Sequence, residues 1–353
     1  MERRPDYRRI VDAARNVQPD SLPLYEHIIA PEVMETILDK EFRELAKGDL
    51  VDKREYFRTY CDFFSRMGYD TVSFEQCITS IMPGSGALYS HAPGVITDRA
   101  SFEAYPWEEL PELFFDAFSD DFRALREVMP PGMKAIGGPG NGIFECVQDI
   151  TGLVNLSYLG MDDPDTYAGL FRAVAKANLA IWKRFIEEFG DIYCVLRFGD
   201  DLGFKSNTLI DVADIRRLII PAYRPIIDLV HSVGKPFLLH SCGSIFEVME
   251  DLIAAGIDAK HSNEDQIAPF PQWVERYGSR LGNFGGADMN FLIQNESATI
   301  REYVLSIIEK AWGHGGFAFG SGNSIPDYVP AEGYLAMVNA VREWRGEGPV
   351  EIG

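Results

Sequence analysis

The chain has 353 residues, of which 46% are hydrophobic and 25% charged, and this composition is typical of globular proteins rather than disordered or fibrous ones. Lys and Arg number 33 against 54 Asp and Glu, and the net charge of −21 disfavours nucleic acid and anionic membranes as partners. The five cysteines form no CxxC pair, and the sequence shows neither the apolar core of a secretory signal nor a run long enough to span a bilayer. We therefore expect a cytoplasmic protein with reduced thiols.

Short apolar runs alternate along the chain with longer stretches of helical periodicity. The apolar runs predict strands at 22–28, 70–76, 134–138, 192–199, 236–241, 257–262, 280–286 and 316–321. Helices are predicted between them at 164–189, 211–233, 245–255, 297–312 and 331–345. The helix at 211–233 begins at the capping residue Asp211 and ends before Gly234, and Pro221 and Pro225 are expected to kink or divide it.

Eight predicted strands that alternate with helices are the pattern of a single-domain (β/α)8 TIM barrel, an α/β fold. The alternative is an open, doubly wound sheet, but the glycine-rich stretch 137–142 does not fit the dinucleotide-binding fingerprint of that fold. In the barrel, residues 80–127 become a long insertion after the second strand. Its aromatic residues predict either a local core or a lid over the barrel mouth, and they are Phe102, Tyr105, Trp107, Phe114, Phe115 and Phe118.

Barrel enzymes carry out their chemistry at the carboxyl ends of the strands, so the residues there are the first functional candidates. The predicted strands end mainly in acids, amides, histidine and thiols, while Arg and Lys are nearly absent. Such a mouth favours a cation. The residues at these ends are Glu26, His27, Glu75, Gln76, Cys77, Asp200, Asp201, His240, Cys242, Asn263, Glu264, Asp265, Asp288 and Asn323.

The strongest local pattern is His240-Ser-Cys242-Gly243, which directly follows a predicted buried strand. Two ligand atoms one residue apart, before a glycine turn, can face one ion, and imidazole with thiolate is a pair that prefers zinc. The sequence therefore predicts His240 and Cys242 as metal ligands. The other histidines are expected to have structural roles, and they are His27, His91, His231, His261 and His314.

Two adjacent acids, Asp200 and Asp201, follow the strand predicted at 192–199. Because adjacent strand residues point to opposite faces, we expect only one of them to enter the barrel mouth. A carboxylate there could raise the proton affinity of a neighbour, bind a cation or cap the next helix. The catalytic candidates are Asp200, Glu264 and Glu75, and the cofactor-binding candidates are Asn323 and Asp288.

Short motifs spread over most of the chain carry a family resemblance. They are Gly68-Tyr-Asp70, Val95-Ile-Thr-Asp98, Tyr105-Pro-Trp107, Asp200-Asp-Leu-Gly, Pro221-Ala-Tyr, Pro236-Phe-Leu-Leu-His-Ser-Cys-Gly, Gly256-Ile-Asp258, Gly285-Gly-Ala-Asp288 and Gly320-Ser-Gly-Asn-Ser-Ile325. In these motifs the chain resembles the uroporphyrinogen decarboxylase superfamily, which implies a (β/α)8 barrel. The resemblance implies one of two chemistries. One is cofactor-free decarboxylation of the four acetate side chains of uroporphyrinogen, and the other is zinc-dependent methyl transfer to or from a corrinoid protein.

The residues of this chain depart from the decarboxylase pattern. The decarboxylases have an arginine-rich loop after the first strand that binds substrate carboxylates, whereas residues 28–35 contain no Arg. Counted from Asp70, their catalytic Asp falls on Cys77, and their histidine near the eighth strand falls on Asn323. A mouth lined by acids would also repel a substrate with eight carboxylates. Uroporphyrinogen decarboxylation is therefore kept only as an alternative.

The methyltransferase branch of the superfamily resembles this chain at His240 and Cys242, which the resemblance makes zinc ligands. Several members take a third ligand, a cysteine, from the turn after the last strand, where this chain has Asn323. The candidates to replace that ligand are Glu264, Cys77 and Asp288. The resemblance implies Zn²⁺ and a corrinoid (cobalamin) on a partner protein, with a small-molecule methyl donor or a thiol acceptor as substrate. A further alternative is a non-catalytic subunit that binds the corrinoid protein.

Overall fold

Parallel strands form the centre of the fold. In the computed structural model, which describes residues 4–88 and 93–352, seven strands lie side by side in chain order, each parallel to the next. Each lies within two residues of a strand predicted from the sequence. They are β1 (Val72–Cys77), β2 (Ala135–Gly140), β3 (Tyr193–Gly199), β4 (Phe237–His240), β5 (Ala259–His261), β6 (Gly282–Ala287) and β7 (Phe317–Ser321).

The first predicted strand, 22–28, closes the sheet without forming a regular strand. Leu24 makes an isolated parallel bridge to Phe319 of β7. On the other side, the Ser73 hydroxyl of β1 donates a hydrogen bond of 2.8 Å to the carbonyl oxygen of His27. The segment therefore fills the space between β7 and β1. The predicted (β/α)8 barrel is confirmed, with seven regular strands and one irregular segment in the eighth position.

Helices surround the sheet and connect successive strands. The predicted helices 164–189, 297–312 and 331–345 are found within one residue at each end, whereas the one predicted at 245–255 begins later, at Met249. Among the described residues, none of the helices has both the length and the apolar character needed to cross a membrane. The helices are α1 (Arg8–Ala14), α2 (Pro31–Leu38), α3 (Leu50–Met67), α4 (Arg99–Ala104), α5 (Leu110–Val128), α6 (Ile143–Thr151), α7 (Leu153–Asp162), α8 (Pro164–Phe189), α9 (Val212–Asp214), α10 (Ile220–Ser232), α11 (Met249–Ala255), α12 (Phe270–Tyr277), α13 (Met289–Gln294), α14 (Ser297–Ala311) and α15 (Ala331–Trp344).

The helix predicted at 211–233 is continuous but changes its winding. After α9, a wider π-helical turn spans Ile215–Ile219 and leads into α10. Pro221 has no N–H group, and its ring excludes the carbonyl group four residues earlier, at Arg217, so the regular helical hydrogen bond cannot form there. Of the kink or division expected at the two prolines, the structure shows a change of winding just before Pro221 and no break in the helix, and Pro225 lies within α10.

The stretch 80–127, predicted as an insertion, has two parts. From Leu110 onward it forms α5, which packs against α3 and α8 and so belongs to the helical layer around the sheet. Phe114 and Phe115 are buried in that layer. The part of this stretch that is additional to the barrel is therefore shorter than predicted, because its second half is one of the helices that every such barrel needs.

The first part of this stretch lies near the carboxyl ends of the strands. The N–H group of Ala87 donates a hydrogen bond of 3.1 Å to the carbonyl oxygen of Asp149 in α6. Since α6 directly follows the end of β2, this segment lies on the C-terminal side of the barrel. Its action as a lid stays a prediction. Residues 89–92, which include His91, lie outside the described residues.

The interior of the barrel changes from apolar to polar along its axis. At the amino end, α1 packs against β3, β6 and β7. The carbonyl oxygen of Ala13 in α1 comes so close that a β-carbon on Gly282 or Gly316 would lie 2.2 or 2.1 Å from it. Towards the carboxyl end, the interior holds buried polar side chains, among them Arg197 and His240. The apolar end is thus closed by a helix, and the polar end forms the mouth where barrel enzymes have their sites.

Candidate metal centre at the barrel mouth

The loops after β3 and β4 bring an acid next to a histidine and a thiol. His240 is the last residue of β4, Cys242 follows it by two positions, and Asp201 follows the last residue of β3 by two positions. A β-carbon on Gly243, which has a φ of 78°, would lie 2.2 Å from the carbonyl carbon of Gly203. Only glycine permits this close contact between the two loops. The contact fixes Asp201 beside Cys242.

Three different donor atoms converge at this point. His240 Nε2 lies 3.4 Å from Cys242 Sγ and 3.7 Å from Asp201 Oδ1, and ligand atoms of the three residues all lie within 4.8 Å of one another. A tetrahedral zinc ion with bonds of about 2.0–2.3 Å holds its ligands roughly 3.3–3.8 Å apart. The two distances from His240 Nε2 fit such an ion. The two ligands predicted from the sequence therefore have Asp201 as a third donor beside them.

The sulfur of Cys242 has hydrogen-bond donors around it. Asn323 Nδ2 donates to Sγ at 3.3 Å and the Ser262 hydroxyl donates at 3.6 Å. Burial, followed by the charge of Asp201, raises the pKa of the Cys242 thiol well above its ordinary value. A bound dication reverses this preference and favours the thiolate, which the two donors then stabilise. Asn323, predicted as a cofactor-binding residue, thus donates a hydrogen bond to the sulfur of Cys242, the predicted metal ligand.

A chain of hydrogen bonds extends from His240 across the barrel interior. Its Nδ1 lies 2.7 Å from Nδ1 of His261, and Nε2 of His261 donates to the carbonyl oxygen of Ser321 at 3.0 Å. Burial lowers the pKa of His240 well below its ordinary value and lowers the pKa of His261 to about 3. Both rings are therefore neutral near pH 7, and neutral imidazole is the form that binds metal ions.

A second group of potential ligands consists of the three buried histidines His27, His240 and His261. The rings of His27 and His240 are stacked, with their centroids 3.8 Å apart and their planes 9° from parallel. Imidazole lone pairs lie in the plane of the ring, so two stacked rings direct their lone pairs within two nearly parallel planes, which do not converge on one ion. The geometry therefore favours the group that contains Cys242 and Asp201.

Asp200 belongs to the scaffold rather than to the mouth. It accepts hydrogen bonds from the N–H groups of Glu145 at 2.8 Å and Phe144 at 3.0 Å, and from the Tyr223 hydroxyl at 2.5 Å. These contacts cap the start of α6, and burial raises the pKa of the Asp200 carboxyl. The expectation that one acid of the pair enters the mouth is correct. The acid is Asp201 rather than the selected Asp200, because successive residues of an extended segment face opposite ways.

Glu75, predicted as catalytic, lies below the histidines in a buried ion pair. Its Oε2 accepts hydrogen bonds from Arg197 Nε at 3.0 Å and Nη2 at 2.7 Å, while its Oε1 lies 3.8 Å from His27 Nε2. Nη1 of Arg197 donates to the Tyr25 hydroxyl at 2.8 Å and to the Ser73 hydroxyl at 2.9 Å. The two charges are thus compensated inside the barrel, and the pair forms the floor of the site.

The remaining predicted candidates lie around the mouth without joining the three donors. Asp288 accepts hydrogen bonds of 2.8 Å from the N–H groups of Asn290 and Asp265, so it caps α13 and fixes the loop before it. Glu264 is half-buried, and burial, followed by the charge of Asp288, raises its pKa. Cys77 ends β1, where burial raises the pKa of its thiol. Among the described residues, none of Glu264, Asp288 and Cys77 belongs to a group that could hold a metal ion.

Three further side chains of this region were assigned no catalytic, cofactor-binding or metal-binding role from the sequence. His27 and His261, expected to be structural, lie directly against His240. A signal for His261 does exist, because β4 and β5 both end in histidine and the two residues pair in the sheet. Glu26 is buried next to Ser321, and burial raises its pKa to about 8.

Comparisons with known proteins define what the fold resembles. A comparison with curated protein sequences gives no match. Among solved structures, a methyltransferase from Methanosarcina mazei has a TM-score of 0.70 at 15% sequence identity, covering 96% of this chain and 98% of that one. A B12-independent methionine synthase from Shewanella sp. W3-18-1 has a TM-score of 0.51 at 12% identity, covering 92% of this chain and 96% of that one. At these identities the two structures establish a shared fold alone.

The family follows from the sequence. The profile of the family described as Uroporphyrinogen decarboxylase (URO-D) matches residues 8–344. The match contains all of β1 to β7 and the loops that hold His240, Cys242 and Asp201. This protein therefore belongs to the uroporphyrinogen decarboxylase family.

Proposed function

We propose that this protein is a zinc-dependent methyltransferase that moves a methyl group between a small molecule and a corrinoid on a partner protein. The observation that carries the proposal is the group of donor atoms, His240 Nε2, Cys242 Sγ and Asp201 Oδ1, at the carboxyl end of the barrel. Three protein ligands leave the fourth position of a tetrahedral zinc ion for a substrate. This arrangement is typical of catalytic zinc sites, whereas structural sites are closed by four protein ligands.

The residues around the donors prepare the site for a metal and a substrate. A zinc ion here would lower the pKa of a thiol or alcohol bound at its open position, and the corrinoid would supply or receive the methyl group. Asn323 and Ser262 donate hydrogen bonds to the sulfur of Cys242 and so stabilise its thiolate form. Asp201 accepts a hydrogen bond of 2.8 Å from the N–H group of Cys242, which holds the carboxylate next to the sulfur.

Glu264 is the residue that we assign to proton movement at the rim. Its pKa is raised by burial and by Asp288, so it holds a proton closer to neutral pH than an exposed glutamate does. It can therefore donate a proton to a departing alkoxide or accept one from an incoming thiol. The other two predicted catalytic acids are engaged elsewhere, because Asp200 caps α6 and Glu75 pairs with Arg197.

The other chemistry of the family, decarboxylation of uroporphyrinogen, has less support in this chain. A substrate with eight carboxylates needs cationic partners at the mouth. Arg197 is fully buried and paired with Glu75 below the histidines. The acids Asp201 and Glu264 lie at the mouth instead, and they would repel a polyanion.

The test is zinc-dependent methyl transfer by the purified protein. The protein is stripped with a chelator, reloaded with equimolar zinc and mixed with methylcobalamin and a thiol, either 2-mercaptoethanesulfonate or homocysteine. The visible absorbance of methylcobalamin then reports the loss of its methyl group. Transfer in the opposite direction is followed separately, with a methoxylated phenol as methyl donor and cob(I)alamin as acceptor, which gives the phenolate and methylcobalamin. We expect turnover that requires zinc. An equal rate without zinc would contradict the proposal, and bound zinc without transfer in either direction would favour the non-catalytic subunit.

A further inference from the structure

His261 makes two directional contacts that together determine the state of its neighbour. The side chain lies at the end of β5 and is fully buried in the barrel interior. Its Nε2 lies 3.0 Å from the carbonyl oxygen of Ser321 at the end of β7. Its Nδ1 lies 2.7 Å from Nδ1 of His240. Each nitrogen of this ring therefore has one defined partner.

The positions of the hydrogens follow from the chemistry of these partners. A carbonyl oxygen can only accept, so Nε2 of His261 carries a hydrogen. A neutral imidazole carries a single N–H hydrogen, so Nδ1 of His261 is an acceptor. The hydrogen between the two Nδ1 atoms then belongs to His240. It follows that Nε2 of His240 bears a lone pair, and this is the atom that faces Cys242 and Asp201.

Neutrality of both rings is favoured by their surroundings. The side chains of His240 and His261 are both buried in the barrel interior, where an additional positive charge is costly. The ring of His27 stacks on the face of His240 at 3.8 Å and restricts its rotation. The ring of His240 is therefore held at its face by His27 and at its Nδ1 edge by His261.

We propose that His261 is a positioning residue, which holds His240 in the Nδ1–H tautomer and so presents the Nε2 lone pair to the metal. The role in metal binding rests on the proposed function, whereas the tautomer follows from the hydrogen bonds of the two histidines alone. One turn orients both His240 and Cys242. The carbonyl oxygen of Ser321 anchors His261, which bonds to His240. Asn323, two residues after Ser321, donates to the sulfur of Cys242.

The first test reads the tautomers directly. Metal-free protein labelled with ¹⁵N-histidine is studied by long-range ¹H–¹⁵N correlation spectra, which distinguish the Nδ1–H tautomer from the Nε2–H tautomer. We expect His240 as the Nδ1–H tautomer and His261 as the Nε2–H tautomer. The reverse tautomer for His240 would overturn the inference whether or not the protein transfers methyl groups.

The second test measures zinc affinity in two variants of the same residue. His261→Phe keeps a ring of similar size but offers no acceptor to His240, and we expect it to lower zinc affinity about 10–100-fold, the usual effect of losing a group that orients a ligand. His261→Gln retains an amide oxygen that can accept from His240 and an amide N–H that can donate to Ser321, so we expect most of the affinity to return. His314→Phe, at an exposed histidine away from the mouth, is the matched control.

The outcomes separate this inference from the proposed function. Wild-type zinc affinity in His261→Phe would overturn the role of His261. If that variant does not fold, the tautomers of the wild-type protein decide the matter. Correct tautomers and a loss of affinity in His261→Phe, combined with no methyl transfer by the wild-type protein, would contradict the proposed function and leave the inference intact.

Discussion

Asp201 accepts a hydrogen bond of 2.8 Å from the N–H group of Cys242, so a carboxylate is held next to a thiol. Its neighbour in the sequence, Asp200, accepts hydrogen bonds from the first N–H groups of α6 instead. Two identical side chains in succession therefore have separate tasks, one at the mouth and one in the scaffold. Their amide variants should separate metal binding from stability.

Asp201→Asn is expected to lower zinc affinity and to leave the stability of the metal-free protein nearly unchanged. The amide oxygen can still accept from the N–H group of Cys242, but it brings no negative charge to the ion. Loss of one of three ligands should exceed the roughly 10–100-fold effect of residues that only orient ligands. Titration calorimetry with zinc measures the first effect, and thermal unfolding measures the second.

Asp200→Asn is the matched control with the opposite expectation. Its amide nitrogen would replace one of the two oxygens and face the N–H group of either Phe144 or Glu145, and this unsatisfied donor should cost about 1–3 kcal/mol of the free energy of unfolding. Zinc affinity of the folded variant should remain at the wild-type value. A greater loss of zinc affinity in Asp200→Asn than in Asp201→Asn would remove Asp201 from the set of ligands.

The fold could be predicted because its periodicity is local. β3 is an uninterrupted run of buried residues, and α8 begins after Asp163 and ends at Gly190, so both follow from a few adjacent residues. The structure of segment 22–28 was harder to predict. An extended run becomes a regular strand only if the neighbouring strands pair with it by backbone hydrogen bonds. Those neighbours are β7 and β1, and β7 lies almost a full chain length away.

The candidate site could be predicted only where its residues are close in the sequence. His240 and Cys242 are separated by one residue, and this spacing, directly after a predicted buried strand, predicts a metal site. Whether Asp200 or Asp201 faces the mouth depends on which of the two adjacent residues after β3 points inward. The periodicity of the sequence does not determine this to within one residue. His261 reaches the site from a different strand, so its relation to His240 becomes visible only when the order of the strands is known.

Arg197→Met is expected to destabilise the protein strongly. The substitution leaves Glu75 as an uncompensated charge in the barrel interior, which should cost about 3–5 kcal/mol of the free energy of unfolding. Urea unfolding measures the loss. Adding Glu75→Gln should restore part of the stability, since the pair is coupled, and a double variant that loses the sum of both single effects would show that the two charges act independently.

Glu26 should make stability depend on pH in the neutral range. Burial raises its pKa from an ordinary value of 4.5 to about 8, so the folded protein holds a proton that the unfolded chain releases between these values. The contribution of Glu26 to the free energy of unfolding should therefore be complete below about pH 4.5, and it should be lost as the pH rises through about 8. Glu26→Gln, which keeps a neutral side chain next to Ser321, should flatten this dependence in thermal unfolding from pH 5 to 8. An identical slope in wild type and variant would contradict the assignment.

Uroporphyrinogen should not be turned over. Residues 28–35 carry no Arg, Cys77 stands where the resemblance places the catalytic Asp, and Arg197 is committed to Glu75. The measurement is the formation of coproporphyrinogen by purified protein, followed by chromatography of the oxidised products. Accumulation at a catalytic rate would show that the decarboxylase chemistry persists without these groups.

Zinc held by His240 and Cys242 is proposed to serve methyl transfer, and the decisive measurement is the rate at which Cys242→Ser demethylates methylcobalamin. Cys194→Ser is the matched control. Cys194 lies on β3, and its Sγ donates to the carbonyl oxygen of Ala135 on β2 at 3.5 Å. A serine hydroxyl can make the same contact. We expect Cys242→Ser to lose both zinc and methyl transfer, and Cys194→Ser to keep both. Full zinc content and a wild-type rate in Cys242→Ser would contradict it.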